Sequence, residues 1–479
     1  MRAGRQVTVI GAGMAGLVTA AELERSGYRV TVVEADGRIG GRILTHRFGT
    51  DPGAPSVELG AMRIPAHHRR TLRWIDRLGL GDRLTEFRPL LSEPHAFVST
   101  GRGHVRIGEA TDPLRAELRG RLGAPADHYR PDTLAFGAWF TAVVGASAPP
   151  ELREALATDL RCHLLGLVDR LERVPRGDDG RIDLHALFRD HPGIRAGCSA
   201  RLNGFLDDIL LETSTGLHRL AGGLDQLPHR LARALQGPIR CGHRVERIDV
   251  RAGEVVLHVR HGGRTYLRPS DFVVCTAPFP TVRRMRLTGV DAEKLAVLRE
   301  VDYCAATKVA LHCREPFWQR AGITGGASFT GGRLRQTYYP PVEGAPGRGA
   351  ALLASYTIGA EADGLGLLPP RLRHRQVVRE LASVHPELLR PGMVLGSATA
   401  AWGQSPLSGG CATRWGLDPQ RAVQQSQRAA RPVHRLFFAG EHCSSTPAWI
   451  EGAIESAEQA VAAVGDFAEP RRRGAGVAG

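Results

Sequence analysis

The sequence predicts a mixed α/β fold of two or three domains, and three observations support this prediction. The chain has 479 residues, which is too long for one compact core. Its N-terminal part has two strand patterns separated by a glycine-rich turn and a helical stretch, as in a parallel nucleotide-binding sheet. Residues 301–431 contain strand-like stretches between glycine- and proline-rich breaks, which predict an antiparallel sheet.

The N-terminal segment has the residues of a dinucleotide site. Residues 7–10, VTVI, form the first strand pattern, and Gly11, Gly13 and Gly16 follow at GxGxxG spacing. The first glycine permits a tight turn, the second lets a pyrophosphate approach the backbone, and the third lets the helix pack on the strand. The helix N-terminus would then face the phosphates. The next strand pattern, RVTVVEA, contains Glu34, whose carboxylate can bind ribose hydroxyls.

The residues that follow resemble one family in particular. Residues 38–45, RIGGRILT, place two glycines between arginines, which offers close backbone approach and positive charge beside a pyrophosphate. This R-x-G-G-R-x-x-T pattern is similar to that of the flavoprotein amine oxidase family, where it follows the Rossmann-type unit and marks FAD rather than NAD. The resemblance therefore implies FAD as the cofactor.

Two later segments extend the resemblance over most of the chain. Residues 220–235 and the HRVERIDV stretch after them are similar to the second FAD segment of the family, in which Val245 would contact the adenine through its backbone. FFAGEH is similar to the third, in which Gly440 and Glu441 would reach the ribitol and the pyrophosphate. A helix that starts near Trp449 would point its N-terminus at the flavin ring, where reduction places negative charge.

These segments imply domains built from discontinuous parts of the chain. A Rossmann-type, two-dinucleotide-binding FAD domain is predicted from three ranges, a substrate-binding domain from two, and a mainly helical domain and a disordered tail from one each. The FAD domain takes residues 1–65, 215–300 and 432–466, and the substrate-binding domain takes residues 66–84 and 301–431. The mainly helical domain takes residues 85–214, and the disordered tail takes residues 467–479. The helical range carries an apolar stripe at helical spacing, formed by Leu152, Leu156, Leu160, Leu164, Val168 and Leu171.

The resemblance places the cofactor against residues from all three FAD segments. They are Gly11, Gly13, Ala15, Gly16, Glu34, Ala35, Gly41, Arg42, Gly60, Ala61, Met62, Arg63, Val245, Gly440, Glu441, Trp449 and Ile450. Cys411 also resembles the cysteine that carries flavin through a thioether in monoamine oxidases, although Ala412 stands where an aromatic residue is expected. The alternative is that Cys411 is a small buried thiol near the flavin.

Arg63 is the candidate for substrate binding because it stands among apolar residues in ELGAMRIP. A guanidinium stays charged, and burying it without a partner is very costly. ELGAMRIP is similar to the form found in L-amino-acid oxidases and tryptophan monooxygenases, which implies that Arg63 binds the substrate α-carboxylate. Tyr356 would hydrogen-bond the same carboxylate, and Trp449 would form a wall of the site. The alternative is an internal ion pair of Arg63 with Glu58 or another local acid.

Lys308 is the candidate catalytic residue. Only two lysines, Lys294 and Lys308, occur among 63 basic side chains, so each surviving lysine is a candidate for a role that arginine cannot fill. By resemblance, Lys308 matches the family lysine that holds a water against flavin N5, where it would assist imine hydrolysis or oxygen activation. The alternative is a surface lysine at the start of a strand.

The resemblance implies an FAD-dependent L-amino-acid oxidase. This enzyme would oxidise an L-amino acid to the imino acid, which hydrolyses to the 2-oxo acid and ammonia, while O2 becomes hydrogen peroxide. Three alternatives stay open: a monooxygenase that decarboxylates the amino acid to an amide, an oxidase of amines without a carboxylate, and a flavin-binding protein without turnover. The preferred side chain is not predictable from the sequence.

Composition argues against several other classes of partner. The net charge is +14, but the arginines are spread along the chain without any nucleic-acid-binding motif. Eight cysteines without a CxxC pair indicate no metal site. The absence of a long apolar run and of a signal peptide predicts a cytoplasmic protein that does not bind membranes. A homodimer is common in the family, but nothing in the sequence indicates the oligomeric state.

Overall fold

The computed structural model describes residues 4–51, 53–177, 182–414 and 419–468. Its strands, in chain order, are β1 (Gln6–Ile10), β2 (Arg29–Val33), β3 (Thr45–Arg47), β4 (Ser56–Glu58), β5 (Ile64–Pro65), β6 (Leu84–Glu86), β7 (Phe97–Thr100), β8 (Gly103–Arg106), β9 (Leu217–Leu220), β10 (Ile239–Arg240), β11 (Arg244–Val250), β12 (Val255–His261), β13 (Arg264–Ser270), β14 (Phe272–Cys275), β15 (Arg286–Thr288), β16 (Asp302–Cys304), β17 (Ala306–Cys313), β18 (Ala327–Gly331), β19 (Arg335–Tyr338), β20 (Ala350–Ile358), β21 (Val394–Ala401), β22 (Ala412–Arg414) and β23 (Leu436–Phe438).

The α-helices, in chain order, are α1 (Met14–Arg25), α2 (Arg69–Arg77), α3 (Thr111–Leu122), α4 (Pro131–Ser147), α5 (Pro150–Asp159), α6 (Gly166–Val168), α7 (Leu184–Asp190), α8 (Gly193–Ala196), α9 (Ala200–Glu212), α10 (Gln226–Ala234), α11 (Phe279–Val282), α12 (Ala292–Glu300), α13 (Gly359–Leu367), α14 (Pro370–Leu381), α15 (Pro419–Ala430) and α16 (Ile450–Ala468). The predicted tail lies outside the described residues except for 467 and 468, which end α16.

A five-stranded parallel sheet forms the centre of the nucleotide-binding part, in the order β10-β2-β1-β14-β23. Its strands come from the three segments that the sequence assigns to the FAD domain. One face packs against α1 and α16, and the other packs against the antiparallel sheet β13-β12-β11-β15. Because both faces are covered, the β1 sequence VTVI is apolar or β-branched at every position, and all four residues are buried.

A seven-stranded sheet forms the centre of the second part, in the order β21-β17-β20-β19-β18-β7-β8. All its pairings are antiparallel except that between β18 and β7, so the predicted antiparallel sheet is confirmed. Residues 97–106 supply the β7–β8 hairpin, although they lie in the range predicted to be mainly helical. Their sequence, FVSTGRGHVR, has β-branched residues on both sides of a glycine-containing turn, which favours a hairpin over a helix.

The leucine stripe of the helical range lies on α5, on a π-helix at Leu160–Leu165 and on α6, except for its last member, Leu171, which follows α6. Its four central members, Leu156, Leu160, Leu164 and Val168, are buried in one cluster with side chains of α4 and α9. The stripe therefore forms the core of the helical part. No helix in the described part of the chain is both long and apolar enough to cross a membrane.

Lys294 is one of the two lysines, and its role is structural. It lies on α12 with no exposed surface, and its Nζ donates to the carbonyl oxygens of Arg428 at 2.9 Å and Ala429 at 2.7 Å. These carbonyls belong to the last turn of α15, where helix carbonyls have no partner inside the helix and a positive charge is favourable. The ammonium also lies 4.3 Å from the centre of the Phe438 ring.

We expect Lys294→Met to destabilise the fold without changing the active site. The variant leaves two buried carbonyls without a donor, which costs roughly 1–3 kcal/mol of the free energy of unfolding. Thermal unfolding followed by circular dichroism should show a lower Tm. The control is Arg299→Met, which removes an exposed basic side chain from the same helix. Equal Tm values for the two variants would contradict this role of Lys294.

Candidate active site

A cavity of about 1010 Å³ lies between the parallel sheet, the seven-stranded sheet and the helical part. Every residue that the sequence proposes for the site lines this cavity, with one exception, Gly16. The cavity contains a nucleotide end, near the glycine turn after β1, and an opposite end around Arg63, Lys308 and Tyr356. The structure thus brings together residues that are up to about 440 positions apart in the sequence.

The nucleotide end is built around the N-terminus of α1. Gly13 is the residue before the helix, no side chain of the described residues caps the helix there, and its first turn holds no acidic residue. Its first N–H groups are therefore available to an anion in the cavity. The Glu34 carboxylate accepts from the backbone N–H of Ala12 at 2.6 Å and of Asp36 at 2.8 Å. These bonds brace the loop, while burial raises the pKa of Glu34.

Gly16 has a packing role instead of a place in the cavity wall. A Cβ at Gly16 would lie 1.9 Å from the carbonyl oxygen of Gly11. Gly13 differs, because a Cβ there would meet only the Cα of Gly41, at 3.9 Å. The space beside Gly13 thus belongs to the cavity, where close approach by a pyrophosphate needs a residue without a side chain.

Arg42 joins the first FAD segment to the third. Its Nη1 donates to Glu441 Oε1 at 2.8 Å and to the carbonyl oxygen of Cys411 at 3.0 Å. Glu441 also accepts from Thr413 and from the backbone N–H of Ala448 at 3.0 Å. Both partners line the cavity, so this buried ion pair holds the walls of the site in position.

Cys411 lines the cavity, and its thiol environment favours the non-covalent alternative. A hydrogen bond with the Cys304 thiol, together with burial, raises the pKa of Cys411 well above its usual value. A thiol with a raised pKa stays protonated and is a poor nucleophile. Attachment of a flavin at Cys411 therefore stays an untested prediction that the local chemistry disfavours.

Lys308 lies inside the protein at the opposite end of the cavity, so the surface alternative is wrong. Only 4% of the residue is exposed, and its Nζ donates to the Gly60 carbonyl at 2.7 Å and lies 4.6 Å from the centre of the Tyr356 ring. Burial, and then the charge of Arg63, lower the pKa of Lys308 to about 7. This ammonium can therefore lose its proton near neutral pH.

Arg63 pairs with Glu212, the last residue of α9. Its Nη2 lies 2.8 Å from Glu212 Oε1, and its Nη1 donates to the Tyr338 hydroxyl at 3.2 Å. The guanidinium also lies 5.7 Å from the centre of the Trp449 ring. Burial alone would raise the pKa of Glu212, but Arg63 and Arg335 outweigh it and lower that pKa.

Glu58, the acid nearest to Arg63 in the sequence, has other partners. It accepts from the backbone N–H of Leu224 at 2.7 Å and from the Thr45 hydroxyl, and burial raises its pKa to about 7. The suggested ion pair between Arg63 and Glu58 is therefore wrong among the described residues. Arg63 pairs instead with Glu212, which lies 149 positions away in the sequence and is therefore not the local acid that was expected.

Three residues that line this end were not proposed as site residues from the sequence: Asp208, Glu212 and Arg335. Arg335 is 4% exposed, has a φ of 50°, and donates through Nε and Nη2 to the carbonyl oxygen of Ser147 at the end of α4. A positive φ in a residue other than glycine is a strained conformation that is common at functional sites. The one sequence signal for Asp208 and Glu212 was their i, i+4 spacing, which places the two acids on the same face of a helix.

The fold and the cavity define a dinucleotide-binding site, and comparison with known proteins gives the family. Residues 14–465 match the flavin containing amine oxidoreductase family. The chain is 50% identical to the flavin-dependent L-tryptophan oxidase RebO of Lentzea aerocolonigenes, over 97% of this chain and 98% of that protein. It is 31% identical to an L-amino-acid oxidase of Mus musculus, over 94% of this chain and 69% of that protein.

The solved structures agree on the fold. Wild-type putrescine oxidase bound to putrescine matches with a TM-score of 0.64 at 19% identity, over 96% of this chain and 99% of that chain. The chain belongs to the flavin containing amine oxidoreductase family. Its cofactor is FAD, which fits the residues present: an uncapped helix N-terminus, an open space beside Gly13 and an acid after β2.

We expect Gly13→Ala to abolish flavin binding while the fold stays intact. The added methyl group is tolerated by the protein but occupies the space that a pyrophosphate needs. The purified variant should lack the visible absorbance of flavin and should unfold at the Tm of the flavin-free wild type. Gly16→Ala is the matched comparison, since its methyl group would strike the Gly11 carbonyl and should lower the Tm itself. A Gly13→Ala variant with full flavin content would contradict the assignment.

Proposed function

We propose that this protein is an FAD-dependent L-amino-acid oxidase that acts on an amino acid with an aromatic side chain. The α-carbon loses a hydride equivalent and the amine loses a proton, which leaves an imine that water converts to a 2-oxo acid and ammonia. When bound, FAD takes up the hydride equivalent and passes the electrons to O2, which becomes hydrogen peroxide. One observation carries the proposal: the buried Arg63 guanidinium lines the cavity beside Lys308 and Trp449.

Arg63 is suited to hold the α-carboxylate of the substrate. A guanidinium has five N–H donors, and among the described residues Tyr338 and Glu212 take one each. The remaining donors match the planar geometry of a carboxylate. Tyr356 lies opposite Lys308 on the paired strand and also lines the cavity. Its hydroxyl is therefore the second proposed donor. Two fixed donors would hold the α-carbon in one orientation.

Lys308 is suited to handle a proton close to that carbon. Its pKa of about 7 means that about half of the amines are neutral at that pH, and a neutral amine can accept a hydrogen bond from water. The Gly60 carbonyl fixes the Nζ position. We propose that Lys308 holds the water that hydrolyses the imine or assists the reaction of O2.

The aromatic preference rests on similarity and on the cavity walls. The relative from Lentzea aerocolonigenes is an L-tryptophan oxidase, and the cavity lining includes the apolar side chains of Leu152, Leu156, Phe205 and Ile209. The cytoplasmic location and the homodimer stay predictions.

A peroxide assay over the common L-amino acids tests the proposed function. We expect L-tryptophan to be among the best substrates. One molecule of 2-oxo acid and one of ammonia should form for each molecule of hydrogen peroxide, before the peroxide reacts with the 2-oxo acid. An amide and carbon dioxide in place of peroxide would support the decarboxylating monooxygenase instead. Peroxide from amines but from no L-amino acid would contradict the proposal.

We expect Arg63→Met to keep the flavin spectrum but to lower kcat/KM toward amino acids by about 3 kcal/mol, because a charged pair with the carboxylate is lost. The decarboxylated amines should be affected much less. Arg63→Met also leaves Glu212 buried without its cation, so the double variant Arg63→Met/Glu212→Gln is the control for that cost. If either variant oxidises its best amino acid as well as wild type does, Arg63 does not bind the carboxylate.

We expect Lys308→Met to retain FAD and to slow turnover or reoxidation of the flavin by O2. In wild type, the step that needs the neutral amine should speed up as the pH rises through about 7, because the pKa of Lys308 is lowered to that value. That ionisation should vanish from the pH profile of the variant. Stopped-flow measurement of both half-reactions provides the test, with Lys294→Met as the matched control. Wild-type rates for both half-reactions in Lys308→Met would contradict the role.

A further inference from the structure

One face of α9 forms a wall of the cavity beyond Arg63. The residues on this face follow the helical spacing i, i+3, i+4, i+7 and i+11: Arg201, Gly204, Phe205, Asp208 and Glu212. The opposite face, with Leu202 and Leu206, packs into the core of the helical part. The helix therefore presents a row of side chains to the substrate, and Glu212 at its end already pairs with Arg63.

The two acids of this face differ in their partners. Glu212 uses Oε1 for Arg63 at 2.8 Å and Oε2 for the Gln336 amide at 3.3 Å. Asp208 has no hydrogen bond and no ion pair with any described residue, yet its carboxylate lines the cavity and is exposed to it. The protein around the cavity encloses this carboxylate, and burial, followed by the negative charge of Glu212, raises its pKa to about 6. Asp208 is therefore an acceptor that the protein itself leaves unused.

The position of Asp208 relative to Arg63 fits one part of an amino-acid substrate. Asp208 lies four residues before Glu212, and four residues of an α-helix advance about 6 Å along the axis. A substrate whose carboxylate meets Arg63 would extend its side chain along α9 toward Asp208. The lining there also includes the apolar side chains of Leu152, Leu156 and Phe205, and the one cation on this face of α9, Arg201, is paired with Asp159 at 2.9 Å. An apolar pocket with one acceptor suits a flat aromatic group that carries one N–H donor.

We propose that Asp208 determines the side-chain specificity of this enzyme by accepting a hydrogen bond from the ring N–H of an indole. This inference rests on the proposed oxidation of an L-amino acid and names the group that the same site recognises. The charges near this carboxylate have both signs, with Glu212 and Asp207 on one side and Arg63 and Arg335 on the other. The apolar side chains of Leu152, Leu156 and Phe205 therefore favour an indole over a cationic side chain. A site built to bond a polar group strongly rejects an analogue that lacks it, because the acceptor is then left unpaired.

The test compares three substrates, L-tryptophan, 1-methyl-L-tryptophan and L-phenylalanine, by kcat/KM in the flavin-loaded enzyme. Wild type should prefer L-tryptophan over its 1-methyl analogue by about 10- to 100-fold, the effect of one hydrogen bond to a charged group. In Asp208→Ala, kcat/KM for L-tryptophan should fall by about the same factor, and kcat/KM for the two other substrates should change by less than about threefold. Asp208→Asn keeps an acceptor oxygen and should recover part of the preference.

Asp207→Ala is the matched control, because Asp207 is the adjacent acid, is exposed, and pairs with Arg195 at 2.7 Å. Its kinetics should equal those of wild type. An equal fall in kcat/KM for all three substrates in Asp208→Ala would overturn the inference. Equal kcat/KM values of wild type for 1-methyl-L-tryptophan and L-tryptophan would overturn it too. Faster oxidation of L-lysine or L-arginine than of L-tryptophan would overturn it in favour of a cationic side chain. If wild type forms no peroxide from any L-amino acid, the proposed function itself fails.

Discussion

The buried charge of Arg63 is the constraint on which the substrate end of the cavity depends. Taking a guanidinium out of water costs several kcal/mol, so the fold has to surround it with an anion and with groups that accept its hydrogen bonds. Glu212, Tyr338 and the Trp449 ring meet this need, and they come from three distant parts of the chain. The helical part, the seven-stranded sheet and the start of α16 are thereby joined at one point.

The same charge influences the chemistry beside it. Arg63 and burial both disfavour a second cation nearby, so Lys308 has a pKa close to neutrality although lysines usually stay charged. The site thus combines a permanent cation, which can hold a carboxylate, with an amine that can lose its proton. The buried ion pair of Arg42 with Glu441 has a different role, because it holds the walls around the nucleotide end.

The nucleotide end could be predicted from the sequence because it depends on local geometry. The spacing of Gly11, Gly13 and Gly16 describes a turn that only a few residue types allow, and Glu34 follows on the next strand. The spacing also gave Gly13 the role of close approach and Gly16 the role of packing, although the resemblance placed both against the cofactor; in the structure Gly13 lines the cavity and Gly16 packs against the turn. That distinction depends on which atoms a Cβ would meet.

The substrate end could be predicted only in part. Resemblance to known motifs gave Arg63, Lys308 and Tyr356, but it gave neither Glu212 nor Asp208. Those acids reach the cavity through the packing of α9 on the helical core, and a helical spacing alone does not show which face of a helix is buried. Arg335 was missed because its place at the cavity depends on how β19 packs in the seven-stranded sheet, which the local sequence does not show.

The central claim is that Arg63 selects substrates by their α-carboxylate and that bound FAD then oxidises them. The most direct measurement is anaerobic mixing of the flavin-loaded wild-type protein with L-tryptophan, D-tryptophan and tryptamine, followed through the visible absorbance of the flavin. We predict rapid bleaching by L-tryptophan and little or none by the other two compounds. Equal bleaching by tryptamine, or none by any L-amino acid, would contradict the claim.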